Sequence, residues 1–271
     1  MRTRRTRFAV LGGVAALALA GCGGGDDSAC VAEPGATPGA VQAADDCAVN
    51  TVVAVDATGA VKDQALARDV SSAALRAAEQ TIVAGGHLRM FVFAGDANSV
   101  EVIYDDDVQT LEQSDESRRG PMEQALRGAL TSTLDSALGV TDDDPALRES
   151  VSELTRGGTS DIARAVRNGL QTLAPRDGAK AMTLVSDGVQ SSDQLKLSNA
   201  ADGGGDPSQL GDKLGELIGS ASGVDVLQVA GLGRLPDRVN QSAERTDALV
   251  MIWKSACEQA GATRCATTTE L

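Results

Sequence analysis

Apolar positions along this chain follow two different spacings. Apolar-rich runs at 51–56, 88–94, 99–104, 179–186 and 224–229 have the length and β-branched content of buried strands. Between them, apolar residues return every four positions, as on one face of a helix. The clearest series are Leu66, Val70, Ala74, Ala78 and Ile82, then Met122, Leu126, Leu130 and Leu134, then Ile162, Val166 and Leu170. Leu210, Leu214 and Ile218 mark a further helix, residues 146–155 a short one, and Leu249, Ile252, Trp253 and Ala256 the last. Gly85-Gly86 closes the first helix. The strands at 88–94 and 99–104 are separated by Gly95-Asp96-Ala97-Asn98, and so short a connection permits only an antiparallel hairpin. Alternating strands and helices predict an α/β fold. The expected architecture is a doubly wound, mainly parallel sheet with one antiparallel edge strand and helices on both faces.

The first residues stand outside this pattern. Arg2, Arg4, Arg5 and Arg7 precede a short apolar run at 8–20, the layout of an export signal and too short for a permanent spanning helix. The run ends Leu19-Ala20-Gly21-Cys22, which resembles the lipobox of bacterial lipoproteins. That resemblance implies a lipid on Cys22 as the membrane anchor and a location at the cell membrane, facing away from the cytoplasm. The expected divisions are a signal at 1–21, a flexible tether at 22–49, a folded domain at 50–260 and a tail at 261–271.

Four cysteines remain: Cys30, Cys47, Cys257 and Cys265. An even number in an exported chain predicts two disulfides. A local pairing (Cys30–Cys47 with Cys257–Cys265) and a pairing that ties the N-terminal segment to the last helix are both open. The single histidine, His87, and the lack of any CxxC spacing exclude a zinc site on these cysteines.

Removing 1–21 takes away four arginines and moves the net charge from −14 to −18. With 2% aromatic residues there is neither a basic surface nor a stacking platform, which excludes nucleic acid as a partner.

Three distant segments carry the candidate chemistry. The run Val52-Val53-Ala54-Val55-Asp56-Ala57-Thr58-Gly59-Ala60 ends in an acid and a hydroxyl. Gly157-Gly158-Thr159-Ser160-Asp161 opens a helix, and Met182-Thr183-Leu184-Val185-Ser186-Asp187-Gly188 ends in another acid. In open α/β sheets, ligands bind beyond the strand ends where the strand order reverses. The hairpin places two strands on one side of the first strand and leaves the 179–186 strand for the other side. Asp56 and Asp187 therefore flank the expected crevice. Carboxylates and hydroxyls meeting there suit a hard divalent cation such as Mg2+.

In order and interval, these segments resemble a von Willebrand factor type A domain. Its Asp-x-Ser-x-Ser strand end is matched by Asp56 to Ala60, its Gly-Gly-Thr by Gly157 to Thr159, and its Thr/Ser-Asp-Gly by Ser186 to Gly188. Its Gly-Val strand ending in Gly-x-Gly is matched by 223–233. The resemblance implies a metal-ion-dependent adhesion site on Asp56, Thr58, Thr159 and Asp187. Ala60 stands where the family has a further ligand serine.

The Asp105–Asp107 and Asp142–Asp144 runs lack the spacing of a calcium loop and read as solvated loops. Asp161 reads as a first-turn acid and His87 as a surface or edge residue. One histidine at a strand start leaves no base for a serine triad, and a non-enzymatic role is expected. The expected function is binding another extracytoplasmic protein, with the cation bridging to a partner carboxylate. The alternatives are a metal-free scaffold that binds through its surface loops and, behind it, a cell-envelope hydrolase.

Overall fold

The computed structural model describes residues 30–44, 47–95, 100–109, 116–157, 159–198, 205–235 and 242–271. The export signal, Cys22 and residues 23–29 of the expected tether lie outside them.

The described chain begins with two short strands, β1 (Glu33–Pro34) and β2 (Val41–Gln42), followed by β3 (Val49–Asp56), the single turn α1 (Ala57–Ala60) and α2 (Gln64–Ala84). Next come β4 (Gly86–Phe93), β5 (Val100–Val108), α3 (Glu116–Ala137), α4 (Pro145–Thr155) and α5 (Ile162–Leu173). The final elements are β6 (Ala179–Val185), α6 (Pro207–Ile218), β7 (Val226–Ala230), α7 (Ala243–Ala260) and β8 (Arg264–Thr268).

Six strands form the main sheet in the order β5-β4-β3-β6-β7-β8. Every pairing is parallel except β4 with β5. This is the Rossmann-like α/β class, with its order reversing at β3. Side chains alternate across the sheet, so adjacent residues of β3 feed different cores. Val52 and Ala54 pack with Phe91, Phe93, Met182 and Leu184 under α5, α6 and α7. Val53 and Val55 pack with Leu88, Met90 and Val92 under α2 and α3. β3 and β6, covered on both faces, therefore read as continuous apolar runs rather than alternating ones.

Three segments differ from expectation. Residues 261–271 are not a tail: β8 pairs with β7 from Val226↔Arg264 to Ala230↔Thr268 and completes one edge of the sheet. Five residues without a strong period are too short to announce a strand, and pairing with β7 decides it. The arm from residue 30 onward is not a free tether. Ala32 and Val41 bury against Val49, Ala179, Ala181 and Val226. Asp225 Oδ2 accepts the Ala32 and Lys180 amides at 3.3 and 2.9 Å, and Arg264 donates to the Ala32 carbonyl at 2.8 Å. The arm thus closes the N-terminal ends of the strands. Finally, Asp105–Asp107 lie in β5 rather than in a loop, and His87 is buried. Antiparallel register sets Asp107 opposite His87 and Asp105 opposite Arg89, so cross-strand polar pairing of these two acids carries the strand past Tyr104. Asp107 Oδ1 lies 2.9 Å from His87 Nδ1 and 3.0 Å from Arg176.

Both disulfides are local, Cys30–Cys47 and Cys257–Cys265, with Cα separations of 5.7 and 5.9 Å. The first closes the arm on itself, and the second ties α7 to β8. Such bonds belong to chains that fold in an oxidising compartment. Among the described residues no helix is long and apolar enough to cross a membrane.

Candidate functional site

β3 ends at Asp56, between the C-terminal ends of β4 and β6. The Asp56 carboxylate is buried, and both its oxygens are engaged. Oδ1 accepts the Thr58 amide at 3.0 Å, capping α1. Oδ2 accepts two hydroxyls, Ser160 at 2.8 Å and Ser186 at 2.9 Å. The Thr58 hydroxyl lies 3.3 Å from Ser160 Oγ and 3.4 Å from the Thr159 carbonyl. One carboxylate thus gathers the strand end of β3, the approach to α5 and the strand end of β6.

The segment before α5 is placed by backbone pairing. The Gly95 amide donates to the Thr159 carbonyl at 2.8 Å, and the Asp161 amide donates to the Gly95 carbonyl at 2.8 Å. Residues on such a bridged stretch point alternately to opposite sides. Ser160 faces Asp56, whereas the exposed Thr159 side chain lines a neighbouring hollow with Asp161, Arg164 and Ser191. The hydroxyl that reaches Asp56 from this segment is therefore that of Ser160, and Thr159 contributes its carbonyl. The Ser191 hydroxyl fixes Ser160 further by accepting its amide at 2.8 Å. Asp161 caps α5, its side chain accepting the Arg164 amide and Gln190 Nε2, the latter at 2.9 Å. Buried Gln190 in turn accepts the Ala163 amide at 2.9 Å, which joins the start of α5 to the loop after β6.

Asp187 sits one residue beyond Ser186. Its Oδ1 accepts the Val189 amide at 2.9 Å. Burial, and then the Asp56 charge, push its carboxyl up to about 7, against the opposing pull of the Val189 amide, Ser186 and Arg245. The turn that carries it is locked. Gly188 has φ +77°, and a β-carbon there would meet Leu232 Cδ2 at 2.2 Å and Trp253 Nε1 at 2.8 Å. Trp253 Nε1 donates to the Gly188 carbonyl at 2.9 Å.

Asp56 and Asp187 line one cleft of about 30 Å³ together with Ala60, Ser186, Arg234 and Leu271. The Arg245 charge acts on Asp187, and Arg234 lines the same cleft. Two carboxylates and the Ser186 hydroxyl line the cleft, and the Thr58 and Ser160 hydroxyls stand beside Asp56; such oxygens are the donor type that suits a hard divalent cation. Hydroxyls must supply much of that set: among the described residues no group of three or more His, Cys, Asp and Glu side chains is placed to hold a metal. Buried Ala60 adds no oxygen.

The sequence brings Asp56, Thr58 and Asp187 to this point as expected from the strand ends. It places the Thr159 side chain elsewhere, and Ser160 and Ser186 supply the hydroxyls that reach Asp56. Ser186 was visible in its Ser-Asp-Gly motif. Ser160 needed the Gly95 bridge, which joins residues far apart in the chain.

No family model matches the chain. No curated protein matches it either. One similar solved structure is the pilus adhesin SpaC from Lactobacillus rhamnosus GG in its open conformation, at 13% identity and TM-score 0.45, covering 90% of this chain and 31% of that one. A second crystal structure of that adhesin is similar at 14% identity and TM-score 0.33, covering 86% of this chain and 34% of that one. This chain spans about a third of the adhesin's length.

Proposed function

We propose that this chain is a von Willebrand factor type A-like binding module that engages another extracytoplasmic protein through a divalent cation at the Asp56–Asp187 cleft. The observation that carries this reading is Asp56 itself: it stands at the switch point of the sheet and collects hydroxyls from two separate segments. Asp56, Thr58, Ser160 and Asp187 would hold the ion. When bound, the ion supplies local positive charge in an otherwise acidic surface and so attracts a partner carboxylate. The chain's own residues orient one another and exclude water; none is assigned a step in bond-making, and the module is a binder rather than an enzyme. Lipid on Cys22 would hold it at the membrane.

Calorimetric titration with Mn2+ tests the ion. Heat of binding is expected in the parent chain and not in Asp187→Ala; heat that survives the substitution counts against the site. Partner capture from the cell envelope with and without chelator then tests what the ion is for.

A metal-free scaffold is the second reading. It is favoured by one observation: every oxygen of Asp56 already accepts a hydrogen bond from the protein. On that reading the cluster is a structural staple, and binding falls to the loops around it.

A further inference from the structure

β8 runs parallel to β7 and ends beside it, at Thr268 opposite Ala230. The three residues that follow do not leave the surface. The amides of Gly231 and Leu232 both donate to the Thr268 carbonyl, at 3.0 and 3.1 Å. The Glu270 amide donates to Thr268 Oγ1 at 3.1 Å, and Arg234 Nε donates to the Thr269 carbonyl at 2.9 Å. These bonds turn the segment Thr269–Leu271 across the top of the sheet, toward the switch point. Leu271 lies directly over Gly231: a β-carbon there would stand 2.7 Å from Leu271 Cδ2. Its side chain packs against the core under α2 and lines the same cleft as Asp56, Ala60, Leu66, Val70 and Asp187.

We propose that Thr269–Leu271 is an autoinhibitory strap that closes the Asp56–Asp187 cleft when seated and opens it when released. With the strap in place the cleft keeps about 30 Å³, room for one or two waters. A hydrated divalent ion and a partner side chain need far more space. The strap is also built to move. Among the described residues, Thr269–Leu271 is held by one guanidinium contact, one hydroxyl contact and a half-buried leucine packed on Gly231, and segments with few contacts open at small free-energy cost. The inference rests on the proposed function only for what enters the cleft; that the strap covers it follows from Leu271 alone.

The test introduces Ala60→Cys, a thiol inside the cleft, and follows its maleimide labelling by mass at the peptide that carries residue 60. Three chains are compared: Ala60→Cys alone, the same chain ended after Thr268, and the same chain with Leu271→Ala, which keeps every backbone contact. Labelling is expected to be about tenfold faster, or more, in the second and third chains, the ratio set by burial of one leucine side chain. Equal rates in all three overturn the strap. Mn2+ titration of the same three chains without Ala60→Cys separates this inference from the metal reading. Fast labelling without Mn2+ binding in any chain leaves the strap standing and removes the ion.

Discussion

Ser160 and Asp56 are 104 positions apart in the chain, and the Ser160 hydroxyl donates to Asp56 Oδ2 at 2.8 Å in a buried site. Thr159, its neighbour, points its side chain elsewhere. The pair therefore makes a sharp comparison. Ser160→Ala is expected to destabilise the fold by about 1–2 kcal/mol, the loss of one hydrogen bond to a charged acceptor, whereas Thr159→Ala stays within about 0.5 kcal/mol. Urea unfolding of the two variants measures both. The reverse order would show that the segment before α5 is turned the other way.

Asp187 sets a pH dependence. Its carboxyl stands at about 7 in the fold and near 4 in the unfolded chain. Between those values the folded state keeps a proton that the unfolded chain has released, so the stability this group contributes is fully present below about pH 4 and is lost as pH rises through this window. Asp187→Asn is expected to flatten the slope. Thermal melts from pH 4 to 8 give the sign directly. On the cation reading, Mn2+ binding strengthens across the same window, since the ion needs the ionised acid.

Gly188 admits no side chain. Gly188→Ala forces a β-carbon onto Leu232 and Trp253 at a left-handed backbone position and is expected to cost about 2–4 kcal/mol. Trp253 is the single tryptophan, and its indole holds the Gly188 carbonyl, so its emission should shift in the same variant. An unchanged spectrum with unchanged stability would contradict the lock on this turn.

The Cys257–Cys265 bond holds the edge strand. Replacing both cysteines with serine opens a short loop, with a sequence separation of 8, and is expected to destabilise by about 2–3 kcal/mol. Amide exchange should rise first in Arg264–Thr268, because β8 pairs with β7 alone. Uniform exchange across the sheet would place the effect elsewhere.

Legibility differed by element. Helices α2 and α5 carry long runs at four-residue spacing, and the buried strands β3 and β6 carry apolar-rich stretches, so local pattern defines them. The edges were harder. β5 continues through Asp105–Asp107, where composition reads as loop, because Asp105 and Asp107 find partners in His87, Arg89 and Arg176. β8 is half-buried along its length and carries no pattern of its own. His87 reads as an edge residue because its partners, Asp105 and Asp107, lie in the part of β5 beyond Tyr104, which composition reads as loop.

The sequence by itself determined the α/β class, the side of the sheet where two acids meet, and four cysteines available for local pairing. Those properties follow from pattern along one chain: apolar runs and a four-residue period for the elements, and an acid at the end of an apolar run for the site. Only the tertiary structure decided which hydroxyl faces Asp56, that residues 30–44 close the base of the sheet, and that Leu271 reaches the cleft. Each of these depends on a partner strand or loop more than thirty positions away. A side chain's direction is set there by the backbone pairing of its segment, which local pattern does not encode.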